Sequence, residues 1–166
     1  MPLPLDRVAY AVATGAGAGF LPVAPGTFGA AEGVLLYLAA ASLANALSIP
    51  QGGQLALMVV VSGVVLPIAV WSANRACRLL DLKDPGQIVI DEVIGQLIAL
   101  IPLASGLSLT RILIGFLLFR LFDIFKPYPI RRLEQLPGGA GVVADDVLAG
   151  VYSALLLWAV VASGII

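Results

Sequence analysis

The chain contains no histidine and only one cysteine, Cys77. Zinc sites are built from imidazole and thiolate, so these absences argue against one. A lone cysteine also excludes an internal disulfide. Charge is scarce: 11% of the 166 residues are Asp, Glu, Lys or Arg, against about a quarter in soluble domains. A globular protein could not cover its exterior with so few. The formal net charge is −1, and no basic run resembles a nucleic-acid-binding arm, which excludes that class of partner. The glycines at 15, 17 and 19 are not followed by Gly-Lys-Ser/Thr, so they form no Walker loop. No cleavable signal is expected either. Residues 1–7 carry one base, and 8–28 are broken by Gly15, Gly17, Gly19, Pro22 and Pro25.

What the chain has instead is apolar length. The apolar fraction is 60% and the mean hydropathy +1.04. Five apolar segments, at 29–47, 54–73, 88–104, 107–125 and 143–163, approach the ~20 residues that cross a bilayer as a helix. Alternating ten-residue strands are absent, so a membrane barrel is not indicated. The expected fold is all-α: one compact multi-pass transmembrane bundle over residues 1–166, with about five segments. Charge interrupts 88–104 and 107–125, and one of these is expected to be short, tilted or interfacial. Glycine and proline mark the connections, while Pro67 and Pro102 fall inside apolar segments, where membrane helices tolerate them.

Threading the chain back and forth puts eight of its nine basic residues on one side, with Arg111 the exception. The positive-inside rule makes that side cytoplasmic, with the N-terminus in and the C-terminus out. The ten carboxylates fall on the same side. Acids at the ends of membrane helices are costly and mark sites.

Polar residues gather in four stretches: 26–29, 84–95, 119–130 and 138–150. Asp91 has Gly95 one helical turn later, and Asp146 has Gly150. A glycine beneath a carboxylate lets a neighbouring helix approach closely. The adjacent acids Asp91/Glu92 and Asp145/Asp146 would repel unless a cation sat between them. Oxygen ligands alone suit a hard ion, Mg²⁺ above all, with Mn²⁺ or Ca²⁺ as alternatives. Each pair could also serve a helix N-terminus by complementing its dipole.

Arg120 and Asp123, at i and i+3, share a helix face, and Lys126 precedes the helix-ending Pro127. Arg120 and Lys126 beside a carboxylate-held ion would clamp a phosphate; alternatively Arg120 and Asp123 close the helix as an ion pair. Gly26-Thr27 opens a helix, where Thr27 either helps bind an anion or acts as an N-cap. Arg131 and Arg132 fit lipid-headgroup contacts. Asp6, Asp81 and Glu134 read as loop charges, and Glu32 either lines the site or faces the interface. Phosphatases that act through histidine are excluded, and a Cys-x5-Arg enzyme would need arginine where Lys83 stands. Metal-assisted attack on a phosphoryl group remains. A transporter is the rival, but the acids crowd one surface and no inverted repeat is visible.

At APGTFG (24–29), DPGQIVIDEVIGQ (84–96), FRLFDIFKPYPI (119–130) and GGAGVVADDVLAG (138–150), the sequence closely resembles the phosphatidylglycerophosphatase A family. The resemblance implies a multihelical, Mg²⁺-dependent lipid phosphatase of the bacterial inner membrane. It would convert phosphatidylglycerophosphate to phosphatidylglycerol and inorganic phosphate on the cytoplasmic side. Combined with the residue chemistry, it assigns Asp91, Glu92, Asp145 and Asp146 to the metal and gives Asp123 and Asp146 catalytic roles. Asp123 would be a further ligand or the base. Arg120, Lys126 and Thr27 would bind the substrate phosphate, with Asp84 in support.

Overall fold

The computed structural model describes residues 4–166, apart from the Ser105 side chain. Among the described residues there is no strand. Seven α-helices run in order: α1 (Pro4–Ala13), α2 (Pro25–Ala46), α3 (Gln51–Leu80), α4 (Ile90–Ala99), α5 (Leu109–Phe125), α6 (Ile130–Leu133) and α7 (Gly139–Ala162). Short 3₁₀ turns, Gly15–Phe20 and Ile101–Ser105, follow α1 and α4.

Local chemistry sets the boundaries. Pro25 occupies the first turn of α2, where its missing N–H costs nothing. Ser108 caps α5 by accepting the Arg111 backbone N–H at 3.2 Å, and Lys126 ends the same helix in a left-handed conformation just before Pro127. Pro67 is carried within α3.

Three helices, α2, α3 and α7, are long and apolar enough to cross a membrane. With 17 residues, α5 rises ~26 Å. The segment expected at 88–104 is the short one: α4 has 10 residues, ~15 Å, and then tightens into the 101–105 turn, with Pro102 inside it.

This short helix is the core of the bundle. It packs between α2 and α7, and Ile94, Leu97 and Leu100 have no exposed surface. Backbones come close enough to require glycine: Gly29 and Gly33 of α2 lie against the Val89 and Val93 carbonyls, and Gly150 of α7 against the Gly95 carbonyl. Small residues of this kind let helices associate in lipid, where the hydrophobic effect gives little drive. The outer surface is apolar. On α5, Leu113, Leu117, Leu121 and Ile124 are exposed along one face, while Gly115 and Phe119 are buried on the other.

The bundle has two unlike ends. At one, the Arg111 guanidinium donates to the carbonyls of Gly106 and Ile166. Asn45 and Gln54 share a cavity there with Gly106 and Leu107. At the other end Asp6 pairs with Arg75, the Asn74 side chain accepts the Gly139 N–H at 2.7 Å, and the four polar stretches meet.

Candidate active site

Three helices deliver the site. Asp91 and Glu92 occupy the first turn of α4, so its dipole favours them. Asp145 and Asp146 lie well inside α7, in its second turn, where no free N–H explains them. Arg120 and Asp123 come from the last turns of α5.

One carboxylate oxygen each from Asp91, Glu92 and Asp146 falls within 4.8 Å of the other two. The Arg120 guanidinium lies 2.6 Å from Asp123 and 3.8 Å from Glu92, and Asp123 also lies close to Asp146. The shared face expected of Arg120 and Asp123 is therefore present. Gly26 of α2 completes the wall: a Cβ there would collide with the Glu92 carboxylate and approach Arg120 to 3.1 Å.

Oδ1 of Asp91, Oε2 of Glu92, Oδ1 of Asp145 and Oδ2 of Asp146 are buried without a hydrogen-bond partner. Buried carboxylate oxygens are ordinarily satisfied, and acids this close repel. The donor set is all oxygen, converging and short of positive charge. It fits a hard divalent ion such as Mg²⁺ and offers nothing to a soft metal.

The four acids expected at the metal do not share one position. Asp145 turns one oxygen to the Lys126 ammonium at 2.6 Å and stands outside the three-oxygen group. Adjacent residues point about 100° apart on a helix, so Asp146 facing the cluster turns Asp145 toward the end of α5. Lys126, expected as a phosphate clamp, is engaged twice, with its second bond to Glu134 at 2.7 Å. Burial alone would lower the pKa of this ammonium, but the bonds and charges of Asp145 and Glu134 prevail and hold it above the ordinary lysine value. Glu134 and Asp6, read as loop charges, both have cationic partners.

Thr27 is not an N-cap. Ala24 takes that position in a left-handed conformation, and the Thr27 N–H donates to the Ala24 carbonyl at 2.9 Å. Thr27 is half-buried beside Gly26, at the edge of the site. Asp84 is exposed in the turn before α4 and lies outside the cluster. The Glu32 carboxylate sits against Gly15. Sequence reasoning missed Gln96. It is fully buried one turn after Glu92, packs against Gly33, and neither amide atom has a protein partner. Its i, i+4 spacing from Glu92 was the available signal.

The sequence profile of phosphatidylglycerophosphatase A matches residues 11–161, a range that takes in every residue of this site. The chain belongs to the phosphatidylglycerophosphatase A family. It is 33% identical over 163 residues to phosphatidylglycerophosphatase A of Haemophilus influenzae, covering 95% of this chain and 94% of that one. With phosphatidylglycerophosphatase A of Escherichia coli it shares 32% over 157 residues, 94% and 85% of the two chains. A Bacteroides thetaiotaomicron protein with the provisional name phosphatidylinositol-3-phosphatase is 35% identical over 147 residues, 88% of this chain and 89% of its own. No solved structure matches this phosphatidylglycerophosphatase A family member.

Proposed function

We propose that this phosphoric monoester hydrolase removes the terminal phosphate of phosphatidylglycerophosphate in a bacterial inner membrane, with the site facing the cytoplasm and Mg²⁺ as its ion. One observation carries the reading. Carboxylate oxygens without partners converge beside Arg120 at one end of an apolar bundle. Family membership and the names of the Haemophilus and Escherichia relatives support the substrate. The clustering of basic residues at that end supports the orientation.

Asp91, Glu92 and Asp146 would hold the ion, with Asp145 in support through its second oxygen. When bound, the ion supplies positive charge to the phosphate oxygens and lowers the pKa of water. The remaining roles belong to the chain. Arg120 offers the phosphate oxygens the guanidinium N–H groups not turned to Glu92 and Asp123. Asp123, positioned by Arg120, accepts the proton of the attacking water. The water oxygen bonds to phosphorus as the bond to the glycerol oxygen breaks, and that oxygen takes a proton from solvent to leave as the hydroxyl of phosphatidylglycerol, while Asp123 returns its proton to solvent. Lys126 keeps Asp145 in place and does not contact the monoester phosphate.

The test is phosphate release by the purified protein in mixed micelles, with and without Mg²⁺. Phosphatidylglycerophosphate and phosphatidylinositol 3-phosphate serve as parallel substrates. Mg²⁺-dependent release from the first is expected. Release only from the second would keep the reaction and replace the substrate, and release from neither would sink the reading.

A further inference from the structure

The proposed substrate carries two phosphates, a terminal monoester and a diester next to the acyl chains, and the carboxylate site accounts for only the first. Apart from that site, a cationic cleft of about 410 Å³ opens between the end of α5 and α6, lined by Phe125, Lys126, Tyr128, Arg131 and Arg132 among others. No carboxylate lines it. Lys126 is neutralised by Asp145 and Glu134, which leaves Arg131 and Arg132 as the charge the cleft presents.

The cleft is ordered by its own contacts. The Arg132 guanidinium stacks over the Tyr128 ring, 4.8 Å from its centroid, and donates to the Tyr128 hydroxyl at 3.1 Å. The Tyr128 carbonyl accepts the Tyr152 hydroxyl from α7 at 3.4 Å. Tyr128 and Phe125 are 72% and 69% exposed, the position of aromatic residues at a bilayer interface. From Phe125 the lipid-facing track Ile124, Leu121, Leu117 and Leu113 descends along α5. The adjoining stripe of that helix, with Arg120 one turn from Leu117 and Ile124, carries Arg120 and Asp123 into the carboxylate site. A ligand with one phosphate in each site and its chains on this track would lie across the end of α5.

We propose that the Arg131–Arg132 cleft binds the phosphodiester of the lipid substrate and so selects a diester-bearing phosphomonoester lipid over one that has only the monoester. The proposal rests on the function proposed above. The shared chemistry is an anionic phosphodiester beside acyl chains, and it has two sources: the bound substrate, or the anionic lipid of the surrounding bilayer.

The experiment uses full-length protein in mixed micelles and an R131A/R132A variant, with thermal unfolding confirming the fold. Substrates are phosphatidylglycerophosphate and phosphatidic acid, which has a monoester and two chains but no diester. Phosphatidylglycerol, which has only the diester, is the competitor, and native mass spectrometry compares its retention with that of phosphatidylcholine. In the variant, KM for phosphatidylglycerophosphate should rise roughly 10- to 30-fold, about one surface charge contact per arginine. The loss should be confined to that substrate, and both inhibition and retention of phosphatidylglycerol should disappear. An equal loss on phosphatidic acid would assign the arginines to general attraction toward an anionic surface and overturn the proposal, as would unchanged inhibition. A wild-type protein inert toward phosphatidylglycerophosphate would remove the assigned function, while lipid retention would still decide the cleft.

Discussion

Gly150 of α7 lies against the carbonyl oxygen of Gly95 on α4, one turn below Asp146 and Asp91. The two acidic helices can present their carboxylates to a common point because nothing separates their backbones there. A Cβ on Gly95 would also come within 2.7 Å of the Asp146 carbonyl oxygen and press on the Phe119 ring. Backbone cannot step aside as a side-chain tip can. G150A should therefore cost about 1–3 kcal/mol through overpacking, seen as a lower unfolding temperature in detergent, with activity falling alongside. A variant of wild-type stability would mean that this contact is slack.

Gly26 should behave differently. The group its Cβ would meet is the Glu92 carboxylate, at the end of a flexible side chain, and alanine is the better helix former by about 1 kcal/mol. G26A should keep or slightly exceed the wild-type unfolding temperature, yet lose about tenfold or more in kcat/KM, because a displaced Glu92 is misplaced by about an ångström. Parallel loss of stability and activity would show that Gly26 serves packing alone.

Asp146 tests the cluster itself. D146N removes one of three crowded negative charges, so the metal-free protein should unfold at a higher temperature as repulsion is relieved. Mg²⁺ should then protect it less against unfolding, and phosphate release should fall by at least about 10²-fold, the upper range for losing even an outer-shell partner of a metal ligand. Normal Mg²⁺ binding together with normal turnover would refute the assignment.

Lys126 carries a pH signature. K126M strands the buried Asp145 and should cost roughly 3–5 kcal/mol, whereas E134Q removes a partner that is 42% exposed and should cost about 1 kcal/mol or less. The lysine's pKa is raised in the folded protein. Its contribution is therefore complete below the unfolded value of about 10.4 and is lost only as pH climbs through the higher folded value. The stability gap between wild type and K126M should stay constant from about pH 7 to 10 and narrow above that range. A gap that closes near neutrality would contradict the pairing.

Helical arithmetic made much of this site readable. Spacings of three and four residues joined Arg120 to Asp123, Asp91 to Gly95 and Asp146 to Gly150, and the structure keeps all three relationships. Composition could not show that 88–104 would hold only a ten-residue helix, because a buried core helix and a lipid-crossing one are equally apolar. Nor could spacing separate Asp145 from Asp146. Which of two adjacent acids turns inward depends on where the end of α5 leaves Lys126, and that is settled by a left-handed residue and two prolines some twenty residues earlier. Glu134 looked like a loop charge for the same reason: its partner is brought back by tertiary folding. The alternative of Thr27 as a cap fell away because Ala24 adopts a conformation that sequence seldom signals for alanine.

The two faces of α5 have a kinetic consequence. A lipid held along the leucine side as proposed would present its head to the acidic side without leaving the bilayer, so encounter would occur by lateral diffusion. The governing concentration is then the surface mole fraction of substrate. Diluting the substrate with inert lipid would slow turnover even when the amount per millilitre is unchanged.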